Sequence, residues 1–393
     1  MPLENSFDRC ANSPAMGRRD FLTRCAAGLG AATAFRAAAG AAEAAPAGWG
    51  PGPFSGMPWR TGYCGVYPEG LEKYKAWLGR PFDAVTLFTG GTNAKISANW
   101  ESITGGPAGK PEVFLPDNQS TFPTKSGQLV TALGLPKGIK ITWSLRSVPA
   151  SNRSTQDKTV FKDIAAGKYD AYWITLGQRI KNFWEQHDRS LEDLTIRLSW
   201  EFNQSNFDQV FDGTKNGMPD SRPWFRDAFR RYVDGVRKGA DYPIKFDLPL
   251  GRTYRIGEIS SFYPGNDWVD VVSISHHDND PAVASQKDWD AHWFGVELRY
   301  GLKEVFDFAV AQGKAFGLTE WGVVPEGSKN HKPSVNPAMF LRKTFEFLCE
   351  NKDWIAYETY FQKDLLIEGG EVWEEGRRTY KELWGNPSMA AKA

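Results

Sequence analysis

The chain of 393 residues has four cysteines, five histidines and no excess charge of either sign. Cys10 and Cys25 lie in a leader-like N-terminal segment, so only Cys64 and Cys349 remain beyond it. Two cysteines form no disulfide framework, and either one bridge or two buried thiols fits the sequence. Because the sequence has neither a CxxC nor a His-Glu-x-x-His spacing, we expect no metal and no cofactor.

The 47 basic and 47 acidic residues balance each other. A nucleic-acid-binding protein needs surplus Lys and Arg to displace counterions, and a protein bound to anionic lipid needs a basic patch. The balance therefore argues against both classes of partner. We expect the partner to be uncharged or weakly charged.

The sequence also has no long apolar run, and the segment that comes nearest to one resembles an N-terminal export leader. Arg18 and Arg19 precede Phe21-Leu22 and an Ala/Gly-rich stretch that ends at 42–44, Ala-Glu-Ala, a pattern typical of twin-arginine export signals with a small-x-small cleavage site. The stretch is too weakly apolar for a membrane span, and its glycines argue against an ordinary cytosolic helix. We predict a signal peptide over 1–44, a flexible linker over 45–57, a catalytic barrel over 58–385 and a disordered tail over 386–393. The mature protein is then periplasmic or secreted, with no membrane anchor after leader cleavage.

Eight short runs rich in β-branched and aromatic residues alternate with longer helical patterns. This alternation predicts an α/β fold, a single (β/α)8 TIM barrel, with a long loop insertion over 92–126 after strand two. The predicted strands are 61–67, 83–88, 139–145, 194–200, 244–250, 269–275, 315–320 and 355–361. The predicted helices are 71–78, 171–187, 223–238, 298–312, 337–350 and 373–384, and the fifth helix, near 257–263, is expected to be vestigial.

Two glutamates stand at predicted strand ends, each beside a tryptophan. Glu201 closes strand four and Glu320 closes strand seven. Residues at the carboxyl ends of barrel strands converge on the catalytic face. Cleavage of a glycosidic bond requires such a pair, one carboxyl group to protonate the leaving oxygen and one carboxylate to attack or to activate water. Glu358 in the eighth strand is the reserve candidate.

The segments 197–203 and 319–322 resemble the strand-four and strand-seven motifs of retaining barrel glycoside hydrolases, and most of all those of glycoside hydrolase family 26, the β-mannanase and related β-glycanase family. The resemblance covers the layout of residues 58–385, although its motifs are short. It implies that Glu201 is the acid/base and Glu320 the nucleophile. One position departs from the pattern, because Trp200 stands where this clan usually has Asn and family 26 has His.

Side chains near the strand ends are candidates for substrate contacts, because aromatic rings stack on sugars and polar groups bind sugar hydroxyls. The predicted substrate-binding residues are Trp200, Asn203, Arg197, His276, His277, Tyr263, Trp293 and Trp321. The expected partner is a polysaccharide or oligosaccharide, and the expected state is a monomer.

Two other interpretations remain open at the level of sequence. One is a non-catalytic polysaccharide-binding barrel that assists exopolysaccharide processing or export. The other is a metal-dependent hydrolase or deacetylase centred on His276, His277 and Asp278. A barrel fold alone does not separate them, because barrels support many chemistries.

Overall fold

A computed structural model describes residues 46, 49–65, 68–88, 132–145, 160–204, 210–214, 218–252, 254–324, 332–361 and 374–392. Its centre is a closed barrel of eight parallel strands that pair in chain order. The strands are β1 (Thr61–Cys64), β2 (Ala84–Phe88), β3 (Lys140–Leu145), β4 (Leu194–Leu198), β5 (Lys245–Gly251), β6 (Val271–His277), β7 (Ala315–Gly322) and β8 (Ile355–Phe361). The predicted (β/α)8 barrel is therefore confirmed.

Helices connect the strands on the outside of the barrel. They are α1 (Pro68–Leu78), α2 (Val160–Ala165), α3 (Asp170–Gln186), α4 (Arg222–Ala240), α5 (Gln286–Phe294), α6 (Leu302–Ala311), α7 (Pro337–Glu350), α8 (Glu374–Trp384) and α9 (Pro387–Lys392). The weak helical pattern after β5 corresponds to a single 3-10 turn, Ile259–Ser261. Among the described residues, no helix has the length and apolar character needed to cross a membrane.

The hydrophobic core lies between the strands and the helices. Large aromatic residues fill this layer, as where Trp143 of β3 packs against Trp184 of α3 with ring centroids 5.8 Å apart. Helices α3 and α4 approach so closely that a Cβ built on Gly239 would lie 1.9 Å from the carbonyl oxygen of Ile174. The barrel interior carries many polar side chains, which belong to the alternate residues of each strand.

Residues 49–57 close the amino-terminal end of the barrel. The Trp49 ring lies 5.9 Å from Tyr357 and 4.4 Å from Nζ of Lys245, the first residue of β5. The Asp83 carboxylate accepts hydrogen bonds from the backbone N–H groups of Phe54 and Ser55. Aromatic and backbone groups of 49–57 thus contact the barrel, and the linker over 45–57 stays a prediction.

Residues 387–392 of the predicted tail form α9, and the disorder of the tail stays a prediction. The predicted signal peptide over 1–44 and the predicted insertion over 92–126 lie outside the described residues. Both remain predictions. Cys64 and Cys349 are separate, buried free thiols.

Candidate active site

Glu201 reaches the carboxyl-terminal mouth of the barrel through a tight turn. The strand that precedes it ends at Leu198, two residues before the predicted end. Ser199 and Glu201 then adopt left-handed backbone angles, with φ of 54° and 52°. Left-handed angles are uncommon for residues other than glycine and cluster at functional sites. The turn thus replaces the regular strand alternation that would place Arg197, Ser199 and Glu201 on one face.

Glu320 reaches the same site through an irregularity in β7. Ser273 of β6 pairs with Gly317, whereas Ser275 pairs with Glu320, so three residue steps on β7 face two on β6. Regular alternation from Gly317 would turn Glu320 away from the barrel axis. The bulge corrects its direction, in keeping with the way bulges re-aim side chains next to active sites.

Arg197 and Ser275 connect the two glutamates. Arg197 is fully buried, and its guanidinium donates to Oε2 of Glu320 at 3.0 Å and to Oγ of Ser275 at 2.8 Å. The Ser275 hydroxyl in turn hydrogen-bonds the carboxyl group of Glu201. Nε2 of His277 lies 3.7 Å from Oε1 of Glu320. The two carboxyl groups therefore share one small polar cluster and are each 8% exposed.

The surroundings shift the two carboxyl groups in opposite directions. Burial, and next the charge of Glu320, raise the pKa of Glu201 to about 7. Burial would also raise the pKa of Glu320, but His277 and Arg197 together outweigh it and hold that pKa below its ordinary value. Below about pH 7 the proton of the pair therefore resides on Glu201 and not on Glu320. Two carboxyl groups in such contrasting environments are suited to separate acid and nucleophile roles.

Aromatic rings border the carboxyl pair. Phe88 ends β2, and its ring lies 5.3 Å from Trp200, 6.5 Å from Phe361 and 5.9 Å from the Arg197 guanidinium carbon. His277 packs edge-on against Phe361, with ring centroids 5.4 Å apart. This border supplies the flat apolar surfaces on which sugar rings stack. Of the predicted substrate-binding residues, the structure brings Arg197, Trp200 and His277 to the site.

Trp321 and His276 point away from the site, into the layer between barrel and helices. The Trp321 indole N–H donates to Glu358 at 2.7 Å, and its ring packs against Trp384 of α8. His276 is fully buried, with Nε2 3.0 Å from Nδ1 of His292 on α5. Each neighbours a residue that faces the site, and strand alternation turns it outward. Their predicted substrate contacts are incompatible with this placement.

Asn203 supports the site from below its surface. Its amide group donates to the carbonyl oxygens of Gly251, at 2.6 Å, and Tyr254, and accepts from the Gly251 N–H at 2.7 Å. Both amide protons are thus used by backbone groups at the end of β5. Asn203 fixes the loop after β4 to the end of β5, and the structure offers it no direct sugar contact.

Tyr263 and Trp293 lie elsewhere. The Tyr263 hydroxyl donates to Asn266, which contacts the Gln312 carbonyl just before β7, so this tyrosine lies at the amino-terminal end of the barrel. Trp293 lies on α5, and its ring packs edge-on against Phe347 of α7. Both residues are part of the outer core. The sequence pattern did not distinguish such core aromatic residues from those that stack on sugars.

Glu358, the reserve acid, is a structural residue. It is fully buried and accepts hydrogen bonds from Thr61 and from the indole N–H groups of Trp321, at 2.7 Å, and Trp384, at 3.0 Å. Burial raises the pKa of this carboxyl group more than its donors lower it. The side chain faces α8, so it cannot reach a bond held in the barrel mouth.

The histidine-centred metal site does not assemble. His276 faces the helices, His277 faces Glu320, and Asp278 accepts from the Val283 N–H at 2.7 Å. Across the described residues, no group of three or more His, Cys, Asp or Glu side chains is placed to hold a metal ion. A shared metal would need these three side chains to converge, and they diverge.

Several site residues escaped the sequence analysis. Phe88 and Phe361 are the last residues of β2 and β8, so a search of the strand ends would have found them, as it found Glu320. Asp247 is buried and pairs in register with Arg197, and it was detectable as a lone acid in the run 244–250. Ser275 and Cys64, which lies inside the barrel near Glu320, carry no comparable signal. Small residues of this kind are recognised only from the side chains around them.

Comparisons with known proteins agree with this fold. No family model matches the chain. A curated mannan endo-1,4-beta-mannosidase of Bifidobacterium adolescentis is 27% identical over 140 residues, a match that covers 34% of this chain and 13% of that protein. The activity and substrate of that much longer protein are therefore not carried over here.

Solved structures match over most of the chain. GH26C from Muricauda sp. MAR_2010_75 has a TM-score of 0.58 at 15% identity, with 86% of this chain and 89% of that chain covered. The catalytic domain of a Bacillus sp. JAMB-750 GH26 endo-beta-1,4-mannanase has a TM-score of 0.52 at 15% identity, over 84% and 86%. A Cellulomonas fimi endo-beta-1,4-mannanase double mutant has a TM-score of 0.53 at 14% identity, over 85% and 72%. The barrel is thus similar to those of glycoside hydrolase family 26.

Proposed function

We propose that the protein is an exported glycoside hydrolase that cleaves β-glycosidic bonds in a polysaccharide with retention of configuration. Glu201 is the acid/base and Glu320 the nucleophile. The observation that carries this proposal is the pair of buried carboxyl groups that Arg197 and Ser275 link in the barrel mouth and whose pKa values are driven apart. Similarity to family 26 folds favours a β-mannan or related β-glycan as substrate. The leader pattern over 17–44 supports export.

The electrostatics of the pair fit a double displacement. In the first step Glu320 attacks the anomeric carbon while protonated Glu201 donates its proton to the leaving oxygen. Once Glu320 is esterified it loses its charge, so its Coulombic contribution to the raised pKa of Glu201 disappears. Glu201 then becomes the carboxylate that deprotonates water in the second step. Arg197 and His277 hold Glu320 ionised before each cycle.

The experiment is a screen of the purified protein on β-mannans, β-glucans and bacterial exopolysaccharides, followed by NMR of the anomer first released. We expect Glu201→Gln and Glu320→Gln each to reduce hydrolysis by about 10³-fold or more. Glu358→Gln is the matched control, because it alters a buried glutamate outside the mouth. We expect kcat/KM of the wild type to fall above about pH 7 as Glu201 loses its proton.

Azide separates the two roles. With an activated aryl β-glycoside, Glu320→Ala should give an α-glycosyl azide, because azide replaces the nucleophile in one inverting step. Glu201→Ala should give the β-azide, because azide attacks the intermediate. Undiminished hydrolysis by Glu320→Gln contradicts the assignment. Saturable binding of a polysaccharide without product after long incubation favours the non-catalytic barrel instead.

A further inference from the structure

A chain of hydroxyl groups crosses the barrel interior and ends on the buried carboxylate of Asp247. Oδ2 of Asp247 accepts from Oγ of Ser273 at 2.8 Å and from the Tyr357 phenol at 3.0 Å. Ser273 Oγ also lies 3.2 Å from Oγ1 of Thr319. Because the Ser273 proton goes to the carboxylate, Thr319 must be the donor in the second contact. Asp247 therefore sets the direction of the chain.

The other end of this chain of hydroxyl groups lies inside the β7 bulge that presents Glu320. Thr319 lies between Gly317 and Glu320, where the register of β7 against β6 shifts. Its hydroxyl is held by Ser273, and its carbonyl oxygen accepts from Oγ1 of Thr359 at 2.7 Å. Hydrogen bonds from neighbouring strands thus fix the hydroxyl group and the carbonyl group of Thr319. The direction of the next side chain, Glu320, depends on these two hydrogen bonds.

Asp247 also stands opposite the arginine that holds Glu320. It pairs in register with Arg197 across β4 and β5, and Arg197 donates to Glu320 at 3.0 Å. The guanidinium therefore has one carboxyl group toward the mouth and another across the strand pair. Oδ1 of Asp247 is buried and has no hydrogen-bond partner among the described residues. Arg197 is the charged group that acts on Asp247, and burial raises the pKa of Asp247 to about 7 despite it.

We propose that Asp247 is a positioning residue for Glu320, which fixes the β7 bulge through Ser273 and Thr319. This inference rests on the proposed function, in which Glu320 is the nucleophile. Glu320 titrates below its ordinary pKa, where Asp247, with a pKa of about 7, is protonated. The charge of Asp247 therefore does not set the pH at which Glu320 titrates, and Asp247 acts through the geometry of the bulge.

Three substitutions test this role. Asp247→Ala removes the acceptor of the Ser273 hydroxyl, and Ser273→Ala breaks the link to Thr319, so each should lower kcat about tenfold or more with the acid limb of kcat/KM against pH in place. Asp247→Asn keeps an acceptor oxygen for Ser273 and Tyr357, so it should retain kcat within about threefold. KM should stay within about twofold in all three. Thr344→Val, which removes an equally buried hydroxyl from α7, is the control.

A spectroscopic measurement makes the test independent of turnover. In protein with ¹³C-labelled glutamate carboxyl groups, the resonance of Glu320, assigned with Glu320→Gln, should move in Asp247→Ala and Ser273→Ala and stay near its wild-type position in Asp247→Asn. Unchanged kcat and an unmoved Glu320 resonance in Ser273→Ala overturn the proposal. If Asp247→Ala does not fold, Tyr357→Phe replaces it, because it removes one donor from the same carboxylate and should lower kcat about threefold. A wild type without activity on the whole panel, combined with a moved Glu320 resonance in Ser273→Ala, contradicts the proposed function alone.

Discussion

Replacing Glu201 and Glu320 by glutamine should change folding stability in opposite directions at pH 8. The pKa of Glu201 is about 7 in the folded protein, against an ordinary value of 4.5. Between these values the folded state holds a proton that the unfolded state releases, so stability falls as pH rises through this window. The difference corresponds to at most about 3 kcal/mol. Glu201→Gln removes this penalty, so we expect the unfolding free energy to rise by about 1 to 3 kcal/mol at pH 8 and to change little at pH 4.5.

The pKa shift of Glu320 has the opposite sign to that of Glu201. Its folded pKa is below the ordinary value, so the carboxylate contributes stability above pH 4.5 that is lost as pH falls through the folded pKa. Glu320→Gln leaves the fully buried Arg197 without its ionic partner in the mouth. Removing one member of a buried ion pair is strongly destabilising, and since glutamine still accepts a hydrogen bond we expect a loss of about 2 kcal/mol or more at pH 8.

Urea denaturation at pH 4.5 and pH 8 measures both effects. The exposed substitution Glu185→Gln on α3 is the control for any glutamate-to-glutamine change. The double variant should be non-additive, because each carboxyl group contributes to the potential at the other. The electrostatic reasoning is refuted if Glu201→Gln lowers the unfolding free energy at pH 8 as much as Glu320→Gln does.

Three further predictions concern residues outside the pair. Burial lowers the pKa of His292 from 6.5 to about 3, so the unfolded state gains a proton first and the unfolding free energy falls as pH drops below about 6.5. His292→Asn should therefore flatten the fall in the urea midpoint between pH 7 and pH 5. An unchanged dependence of the midpoint on pH counts against this. Glu358→Gln should cost about 1 to 3 kcal/mol of unfolding free energy, because one of its donors would face an amide, while kcat stays within about threefold. A larger kcat loss would restore Glu358 as a catalytic candidate. Gly239→Ala should lower the melting temperature by several degrees despite a helix-propensity gain of about 1 kcal/mol, because its Cβ would meet the Ile174 carbonyl, whereas exposed Lys238→Ala should shift it by about 1 °C or less.

The strands were predictable because local signals define them. The predicted and observed bounds of β8 agree, and those of β5 differ by one residue at each end. Buried parallel strands are short apolar runs between turn residues, and both features are visible in sequence. Helix α5 was missed, because its nine residues carry little apolar periodicity and its helix start depends on a cap from Ser285. The balance of basic and acidic residues indicated the partner only as a class, uncharged or weakly charged.

The direction of individual side chains was less predictable, because irregular backbone decides it. Trp200 and Trp321 each adjoin a glutamate, yet Trp200 borders the site and Trp321 packs against α8. Alternation predicts such directions only while a strand stays regular. Both glutamates were found by their place at strand ends, although a left-handed turn and a bulge, not regular strand geometry, orient them.

The site lies where two strands of the barrel depart from regular geometry. A regular strand directs alternate side chains inward from fixed points, which suits core filling better than the placement of two carboxyl groups around one bond. The left-handed turn that carries Glu201 costs about 1 kcal/mol or more for each non-glycine residue, and the bulge before Glu320 gives up ladder hydrogen bonds. Both costs must be met by the surrounding contacts, namely Asn203 under the turn and Thr319 with its partners within the bulge. The geometry of the carboxyl pair in this barrel therefore depends on polar residues beneath it, which is where changes distant from the pair should act on the proposed activity.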